Sequence, residues 1–152
     1  HPGTPRLFLE RFATEDGRAR FAVAAVRPPA EAPDAAFPLY GTTGRVLAHY
    51  QSGAQTRRVP ELVAAEPRAW VQVHPVVAAG AGLDDGDAAR VISRRGAVEV
   101  AVRLDEDMRT DTVFLPFHFG GPGRANIMTL PELDPVSRMP EFKVCAVRIE
   151  AL

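Results

Sequence analysis

Residues 88–104, AARVISRRGAVEVAVRL, decide the class of fold. The segment contains two short apolar runs, which are separated by Arg94-Arg95-Gly96. Two runs rich in β-branched residues, joined by a short connection that contains glycine, are typical of a β-hairpin. We therefore predict strands over residues 88–93 and 97–104. We also predict a positive φ at Gly96, because glycine adopts such a conformation without a steric penalty.

The same kind of pattern extends over the chain from Leu39 onward. Short apolar runs alternate there with glycine, aspartate and proline, which favours a β-rich domain with a few short helices. Helices are predicted after Pro60 and Pro75, since proline suits the first turn of a helix. Six strands with long connections between some of them favour a closed barrel over an open sandwich. The predicted strands are residues 38–42, 70–73, 88–93, 97–104, 112–117 and 144–150.

Residues 1–38 differ from the remainder and predict an extended arm ahead of a barrel domain over residues 39–152. An alanine-rich acidic stretch covers residues 30–36. Asp16-Gly17 predicts a turn, and residues 20–26 predict a strand that pairs locally. Prolines interrupt the arm at Pro2, Pro5, Pro28, Pro29, Pro33 and Pro38.

Length and charge exclude several classes of protein. The chain has 152 residues, which suits one compact domain that buries roughly 70% of its unfolded surface. Its 18 basic and 19 acidic residues give a net charge of −1, so we expect neither nucleic acid nor a membrane surface as a partner. No apolar run approaches the ~20 residues of a membrane span, and no segment resembles a signal peptide.

The cysteine content and the first residue bear on location and processing. A single cysteine, Cys145, excludes an internal disulfide and a cysteine-based metal cage. It suits a reducing compartment, so we expect a cytoplasmic location. Because the chain begins with His1 and not with methionine, we expect it to start within a longer polypeptide.

Residues 41–45, Gly-Thr-Thr-Gly-Arg, form the first candidate binding segment. They follow a predicted strand, and glycine and threonine let the backbone approach a ligand and offer amide and hydroxyl donors. Arg45 can make a bidentate contact with a phosphate. The alternatives are that the segment is a structural turn and that Arg45 pairs with a carboxylate of the barrel.

Residues 117–126, Phe-His-Phe-Gly-Gly-Pro-Gly-Arg-Ala-Asn, form the second candidate segment. Aromatic rings beside a glycine-rich loop can line a pocket for a flat heterocycle. As an alternative, the aromatic side chains close the mouth of the barrel.

No catalytic or metal-binding group is predicted. The histidines His1, His49, His74 and His118 do not have a metal-ligand spacing, and no Ser-His-Asp or Cys-His arrangement can be assembled. Cys145 lies in an apolar predicted strand, which indicates a buried, inert thiol. Residues 84–87, Asp-Asp-Gly-Asp, are interpreted as a tight solvated turn.

Several motifs, taken in order, resemble the C-terminal molybdopterin dinucleotide-binding domain of the dimethyl-sulfoxide reductase superfamily. The resemblance covers residues 39–152 and is closest to assimilatory nitrate reductases and formate dehydrogenase-like molybdopterin oxidoreductases. Residues 3–8 and 16–21 of the arm also resemble the segment before this domain in assimilatory nitrate reductases. The motifs in the barrel include residues 42–50 (TTGRVLAHY), 56–62 (TRRVPEL), 82–87 (GLDDGD), 93–96 (SRRG), 116–118 (PFH), 134–137 (DPVS) and 141–143 (EFK).

The resemblance implies a fold and a cofactor. The fold is a mainly β, aspartate decarboxylase-like double-psi β-barrel with a few short helices, preceded by the extended arm. The cofactor is molybdopterin guanine dinucleotide, whose molybdenum, like the iron-sulfur cluster, is ligated by upstream domains of the same polypeptide. This chain alone is therefore not expected to turn over substrate. Phe117 is expected near the substrate channel, and the expected cofactor-binding residues are Thr42, Thr43, Gly44, Arg45, Val46, Leu47, His49, Tyr50, Gln51, Asn126 and Lys143.

Alternatives stay open for the parent activity and for two of these residues. Residues 56–62 resemble nitrate reductases, whereas His49-Tyr50, where nitrate reductases commonly carry His-Trp, resembles formate dehydrogenases. The barrel could also be a stand-alone binding module, because one fold hosts unrelated functions. Asn126 could cap a helix that begins near Ile127, and Lys143 could be a solvated residue before the last strand.

Overall fold

A computed structural model describes residue 3 and residues 5–152 of the chain, and its described part contains six strands. Three predicted strands, 70–73, 88–93 and 97–104, are confirmed residue for residue, and the other three in the barrel differ only at their ends. The observed strands are β1 (Leu39–Gly44), β2 (Trp70–Val73), β3 (Ala88–Ser93), β4 (Ala97–Leu104), β5 (Thr112–Pro116) and β6 (Cys145–Ala151).

Two short helices begin at the predicted prolines. Helix α1 is Pro60–Ala65 and helix α2 is Pro75–Gly80. The Nδ1 atom of His74 accepts a hydrogen bond of 3.1 Å from the backbone N–H of Val76, which caps α2. Single 3₁₀ turns occur at Thr56–Arg58, Gly121–Gly123 and Ala125–Ile127. Within the described residues, no helix has the length and apolar character needed to cross a membrane.

The six strands form a closed barrel in the order β1-β5-β2-β4-β3-β6. Strand β1 runs parallel to β5, and β2 runs parallel to β4, while the other neighbouring strands are antiparallel. Closure satisfies the backbone groups that an open sheet would expose at its edges. The expected fold class, a mainly β double-psi barrel with a few short helices, is confirmed.

The core lies inside the barrel because side chains alternate between its two faces. In β3 this alternation buries Ala89, Val91 and Ser93. Val91 is paired across the sheet with Val98 of β4, and both side chains are almost completely buried. Burial of each such valine contributes about 1.5–3 kcal/mol relative to exposure.

The hairpin between β3 and β4 is confirmed, but the predicted positive φ at Gly96 is wrong. A Cβ added to Gly96 would lie 3.0 Å from Cγ2 of Ile127 and 3.2 Å from its carbonyl oxygen. The small size of Gly96 therefore matters, because the 3₁₀ turn at Ala125–Ile127 packs against the hairpin.

The arm has one of its two predicted local features. The turn at Asp16-Gly17 is confirmed: Gly17 has a φ of 72°, and the Thr14 hydroxyl donates to the Arg18 carbonyl at 2.8 Å. The predicted strand over residues 20–26 is wrong, since these described residues pair with no strand and are all exposed. His1, Pro2 and Thr4 lie outside the described residues.

The end of the arm is attached to the barrel through Glu31. Its carboxylate accepts hydrogen bonds from Arg94 at 2.7 Å, from Arg95 at 2.7 and 3.0 Å, and from the backbone N–H of Ala146 at 2.8 Å. We call these four residues the Glu31 clamp. The hydrogen bonds from Arg95, together with those from Ala146 and Arg94, lower the pKa of Glu31 from 4.5 to about 2 against the opposing effect of burial.

Candidate functional site

The parallel pairing of β1 and β5 brings the two candidate segments together. Both strands end at the same edge of the barrel, where Gly44 lies opposite Pro116. The backbone N–H of Phe117 donates to the carbonyl oxygen of Gly44 at 3.1 Å. The loops after these strands, residues 45–52 and 117–126, therefore start side by side although they are far apart in sequence.

The glycines of the first segment are explained by packing. A Cβ on Gly41 would lie 2.8 Å from Cγ1 of Val147, and a Cβ on Gly44 would lie 2.3 Å from Cε2 of Phe114. Interior packing density leaves no room for either atom. Packing within the barrel thus accounts for both glycines, which lie in β1 itself and not in a turn that follows it.

The threonines of this segment differ in exposure. Thr43 is buried, and its hydroxyl donates to the carbonyl oxygen of Phe142 at 2.9 Å. Thr42 is half-buried and lines a cavity of about 740 Å³ between the barrel and the arm, which Arg27 and Lys143 also line. Thr43 therefore holds the segment that precedes β6 against β1, while Thr42 faces open space.

Arg45 is exposed directly after β1. Its Nε–H donates to Oε1 of Gln51 at 3.1 Å, and Gln51 has a φ of 53°. The alternative partner, a carboxylate of the barrel, is not observed, since no ion pair of Arg45 occurs among the described residues. The remaining N–H groups of the guanidinium can bind an anion.

The other residues of the first loop fall into two groups. Leu47 and Tyr50 are exposed, with Leu47 projecting fully from the surface. His49 is buried, and the half-buried Val46 accepts a backbone hydrogen bond of 3.3 Å from the His49 N–H. The loop thus directs Leu47 and Tyr50 outward, whereas His49 points into the protein.

Lys143 connects the first candidate segment with the second. Its ammonium group donates to the carbonyl oxygen of Thr43 at 2.7 Å and lies 5.1 Å from the ring centroid of Phe117 and 5.2 Å from that of Phe142. Burial, and then the nearby charge of Arg45, lower the pKa of Lys143. Lys143 is exposed before β6, as the solvated alternative predicts, but its ammonium group is also held by the backbone of Thr43.

A groove lies between the two loops. It has a volume of about 600 Å³, and we call it the amide groove because side-chain amides and hydroxyls line it together with two aromatic rings. Phe117 lines this groove and also packs against the core, so its position does not decide between the two alternatives for the aromatic segment. The lining residues are Gln51, Ser52, Phe117, Asn126, Thr129, Pro140 and Phe142.

Asn126 reaches this groove from the 3₁₀ turn at Ala125–Ile127. The turn is preceded by Arg124 and has no side-chain cap, so the alternative in which Asn126 caps a helix is wrong. Only its backbone carbonyl is engaged, by the Thr129 hydroxyl at 3.1 Å. Its exposed side-chain amide makes no hydrogen bond within the described part of the chain and offers a donor and an acceptor to a ligand.

Two buried histidines form a stack that sequence reasoning missed. The rings of His49 and His118 are 4.2 Å apart, and the His118 ring is 3.9 Å from that of Phe119. Nδ1 of His49 is 2.9 Å from the Thr56 hydroxyl. In contrast, neither ring nitrogen of His118 has a partner in the described structure, and a buried polar group without one costs about 1–3 kcal/mol.

The environment of His118 keeps its imidazole neutral. Burial first, and then the neighbouring His49 and Arg57, lower the pKa of His118 to about 4, although Glu66 acts in the opposite direction. At neutral pH the ring therefore carries one N–H donor and one acceptor. The position of His118 next to Phe117 in the sequence placed it in the second candidate segment. Its contact with His49 is revealed only by the pairing of β1 with β5.

The remaining predictions for reactive groups concern Cys145 and residues 84–87. Cys145 is buried and its thiol lies 3.7 Å from the carbonyl oxygen of Gly41, so the buried thiol is confirmed. Burial raises its pKa, which disfavours the thiolate. The acidic turn is also confirmed, with a φ of 87° at Gly86 and a hydrogen bond of 2.8 Å from the Asp84 N–H to the Asp87 carboxylate. No group of metal-ligating side chains occurs among the described residues.

The chain matches the family model described as "Molydopterin dinucleotide binding domain" over residues 39–146. It is 44% identical over 151 residues to the assimilatory nitrate reductase catalytic subunit of Bacillus subtilis (strain 168), covering 98% of this chain and 21% of that protein. It is 38% identical over 152 residues to an F420-dependent formate dehydrogenase subunit alpha of Methanocaldococcus jannaschii, covering 100% of this chain and 22% of that protein.

A solved structure shows the same fold. Acetylene hydratase from Pelobacter acetylenicus superposes with a TM-score of 0.66 at 20% sequence identity, over 76% of this chain and 18% of that one. The chain spans about a fifth of the length of the curated relatives given above.

Proposed function

This chain belongs to the molybdopterin dinucleotide-binding domain family, and from this premise we propose that it is the C-terminal cofactor-binding domain of a molybdenum oxidoreductase. Its ligand is molybdopterin guanine dinucleotide. The observation that supports the proposal best is the amide groove at the joint edge of β1 and β5, with Lys143 held beside it.

The residues present fit such a ligand. The rings of Phe117 and Phe142 provide flat apolar surfaces for a heterocycle, and the unengaged side-chain amide of Asn126 can match its polar edge. Lys143 and Arg45 supply positive charge for anionic groups. When bound, the cofactor supplies the electron chemistry of the parent enzyme, while this domain contributes binding and orientation.

We assign cofactor binding to the residues that the resemblance indicated. In this proposal residues 42–51 contact the cofactor through their exposed side chains and their backbone. Phe117 lies near the substrate channel. Gly44 and Thr43 act by holding β1 in place, as their packing suggests. The complete set is Thr42, Thr43, Gly44, Arg45, Val46, Leu47, His49, Tyr50, Gln51, Asn126 and Lys143.

The parent enzyme in this proposal is a nitrate reductase. The higher identity to the Bacillus subtilis nitrate reductase subunit and residues 56–62 support this choice. The formate dehydrogenase relative and His49-Tyr50 support a formate dehydrogenase-like parent as the second candidate. Assay of the complete enzyme with nitrate and with formate distinguishes the two.

The partners in this proposal are upstream domains of the same polypeptide, which ligate the molybdenum and an iron-sulfur cluster. The chain covers only about a fifth of the length of each relative, which supports the presence of such domains. The exposed apolar side chains of Phe21, Val23, Leu47 and Tyr50 also support it, because a further domain would remove them from water. A cytoplasmic location, supported by the single reduced thiol of Cys145, completes the proposal.

The test is the guanine nucleotide content of the purified full-length enzyme. Asn126→Ala and Lys143→Met each remove a polar partner, and we expect each to lower the content about fivefold or more, as the loss of about 1–3 kcal/mol implies. Gln55→Ala is the matched control, because it removes an exposed side-chain amide outside the groove. Equal guanine content in the parent and both variants would show that these residues do not bind the cofactor.

A further inference from the structure

His118 is the polar side chain that the proposed site leaves unexplained. It is 2% exposed, and both of its ring nitrogens lack hydrogen-bond partners among the described residues. Its stacking neighbour His49 is equally buried but has the Thr56 hydroxyl at 2.9 Å. An imidazole that served only to fill space could be replaced by a phenyl ring, so its nitrogens indicate a missing partner.

The surrounding charged groups do not supply that partner. Glu66 accepts from the indole N–H of Trp70 at 2.7 Å and from Arg103 at 2.9 Å, so its carboxylate is already engaged. The side-chain Nε–H of Arg57 donates to the carbonyl oxygen of Gly53 at 3.3 Å. Both groups influence His118 only through their charge.

The segment that covers His118 consists of Phe119 and two glycines. Phe119 stacks on one side of the imidazole and is followed by Gly120 and Gly121. Gly121 has a φ of 59°, and a Cβ added there would meet no atom within 4 Å. His118 directly follows Phe117, which lines the amide groove, although His118 itself does not line it. Access of a ligand to the imidazole therefore requires the Phe119 ring to move, which a change of backbone angles at the two glycines would allow.

We propose that His118 is a further cofactor-binding residue, whose ring nitrogens form hydrogen bonds with an uncharged polar edge of the heterocyclic part of the dinucleotide. This inference rests on the proposed function. A neutral imidazole offers one donor and one acceptor, which suits the amide-like edge of a fused heterocycle. A phosphate would call for the protonated ring, which burial and the positive neighbours disfavour.

The variant His118→Phe separates this role from a structural one. It keeps a ring in the stack and removes both unpartnered nitrogens. In the cofactor-free 152-residue chain we expect a melting temperature equal to or above that of the parent. In the full-length enzyme we expect the guanine content to fall about fivefold or more. His118→Gln, which retains a donor and an acceptor, should keep more guanine than His118→Phe.

The outcomes distinguish this inference from the proposal on which it rests. If the unaltered full-length enzyme released no guanine nucleotide, the proposed function would fail and this inference with it. If the unaltered enzyme and His118→Phe released equal amounts, the inference alone would be overturned. It would also be overturned if His118→Phe lowered the melting temperature of the cofactor-free chain, because the loss of cofactor would then follow from a damaged fold.

Discussion

Replacement of Glu31 by glutamine should weaken the attachment of the end of the arm to the barrel, although the ion pair of Asp34 with Arg94 remains. The substitution keeps the size of the side chain and removes the charge that binds Arg94 and Arg95. A pKa lowered from 4.5 to about 2 corresponds to about 3 kcal/mol in favour of the ionised form. The Arg94 side chain is 37% exposed, so solvent screens part of the interaction. We therefore expect a loss of about 2 kcal/mol in the free energy of unfolding.

The loss should depend on pH in a defined direction. Because the pKa of Glu31 is lower in the folded state, its contribution is complete about one pH unit above 4.5 and is lost as the pH falls towards 2. The difference in stability between the parent and Glu31→Gln should therefore stay constant from neutral pH to about pH 5.5 and shrink below it. This difference in stability reports the contribution of Glu31 alone, because all other titrating groups are common to both proteins.

Chemical denaturation of the 152-residue chain at several pH values measures this difference. At neutral pH the melting temperature should fall by roughly 4–8 °C, given about 2–4 °C per kcal/mol for a domain of this size. Glu15→Gln is the matched control, because Glu15 is an exposed glutamate of the same arm with no ion pair in the described structure. Equal stability of the two variants at neutral pH, or a difference that persists at pH 2, would refute the clamp.

Two further predictions concern packing. Gly44→Ala should destabilise the 152-residue chain by about 1–3 kcal/mol, because the new Cβ overlaps the Phe114 ring. In the control Gly80→Ala the new Cβ meets no atom within 4 Å, so this variant should not be destabilised. Equal unfolding free energies for the two variants would contradict this account. Cys145→Ala should cost on the order of 1 kcal/mol and leave the molybdenum content of the full-length enzyme unchanged. Loss of molybdenum from a folded Cys145→Ala enzyme, measured by metal analysis, would assign the thiol a role that its burial argues against.

Local patterns predicted the strands well because each barrel strand carries its own apolar run. Residues 88–93 and 97–104 are bounded directly by aspartate, arginine or glycine, and residues 70–73 are followed by His74-Pro75; the predicted ends of all three agree with the structure. Residues 20–26 have a similar pattern but remain unpaired, because a strand requires a neighbouring backbone and the described chain offers none there. The residues of a segment indicate whether it can form a strand, whereas the strand with which it pairs depends on residues elsewhere in the chain.

Non-local pairing also limited what could be predicted of the site. The resemblance named Asn126 and Lys143, and the structure places Asn126 in the amide groove and Lys143 beside it, yet their binding role stays a prediction. The stack of His49 and His118 could not be predicted, since it depends on the parallel pairing of β1 with β5. The contact of Glu31 with Ala146 joins residues far apart in sequence that no local signal relates.

The strand order has a consequence for the time at which the barrel forms. Strand β6 lies between β1 and β3, so the first and last strands of the barrel are neighbours. The barrel cannot close on the ribosome until β6 has emerged, and such long-range pairing makes folding slow. Lys143 lies just before β6, whose residues Cys145 and Ala146 pair with β1. The side chain of Lys143 therefore reaches the carbonyl oxygen of Thr43 in β1 only when β6 pairs with β1 and closes the barrel. If the proposed contact of Lys143 with the cofactor holds, the cofactor would bind after translation of the domain is complete.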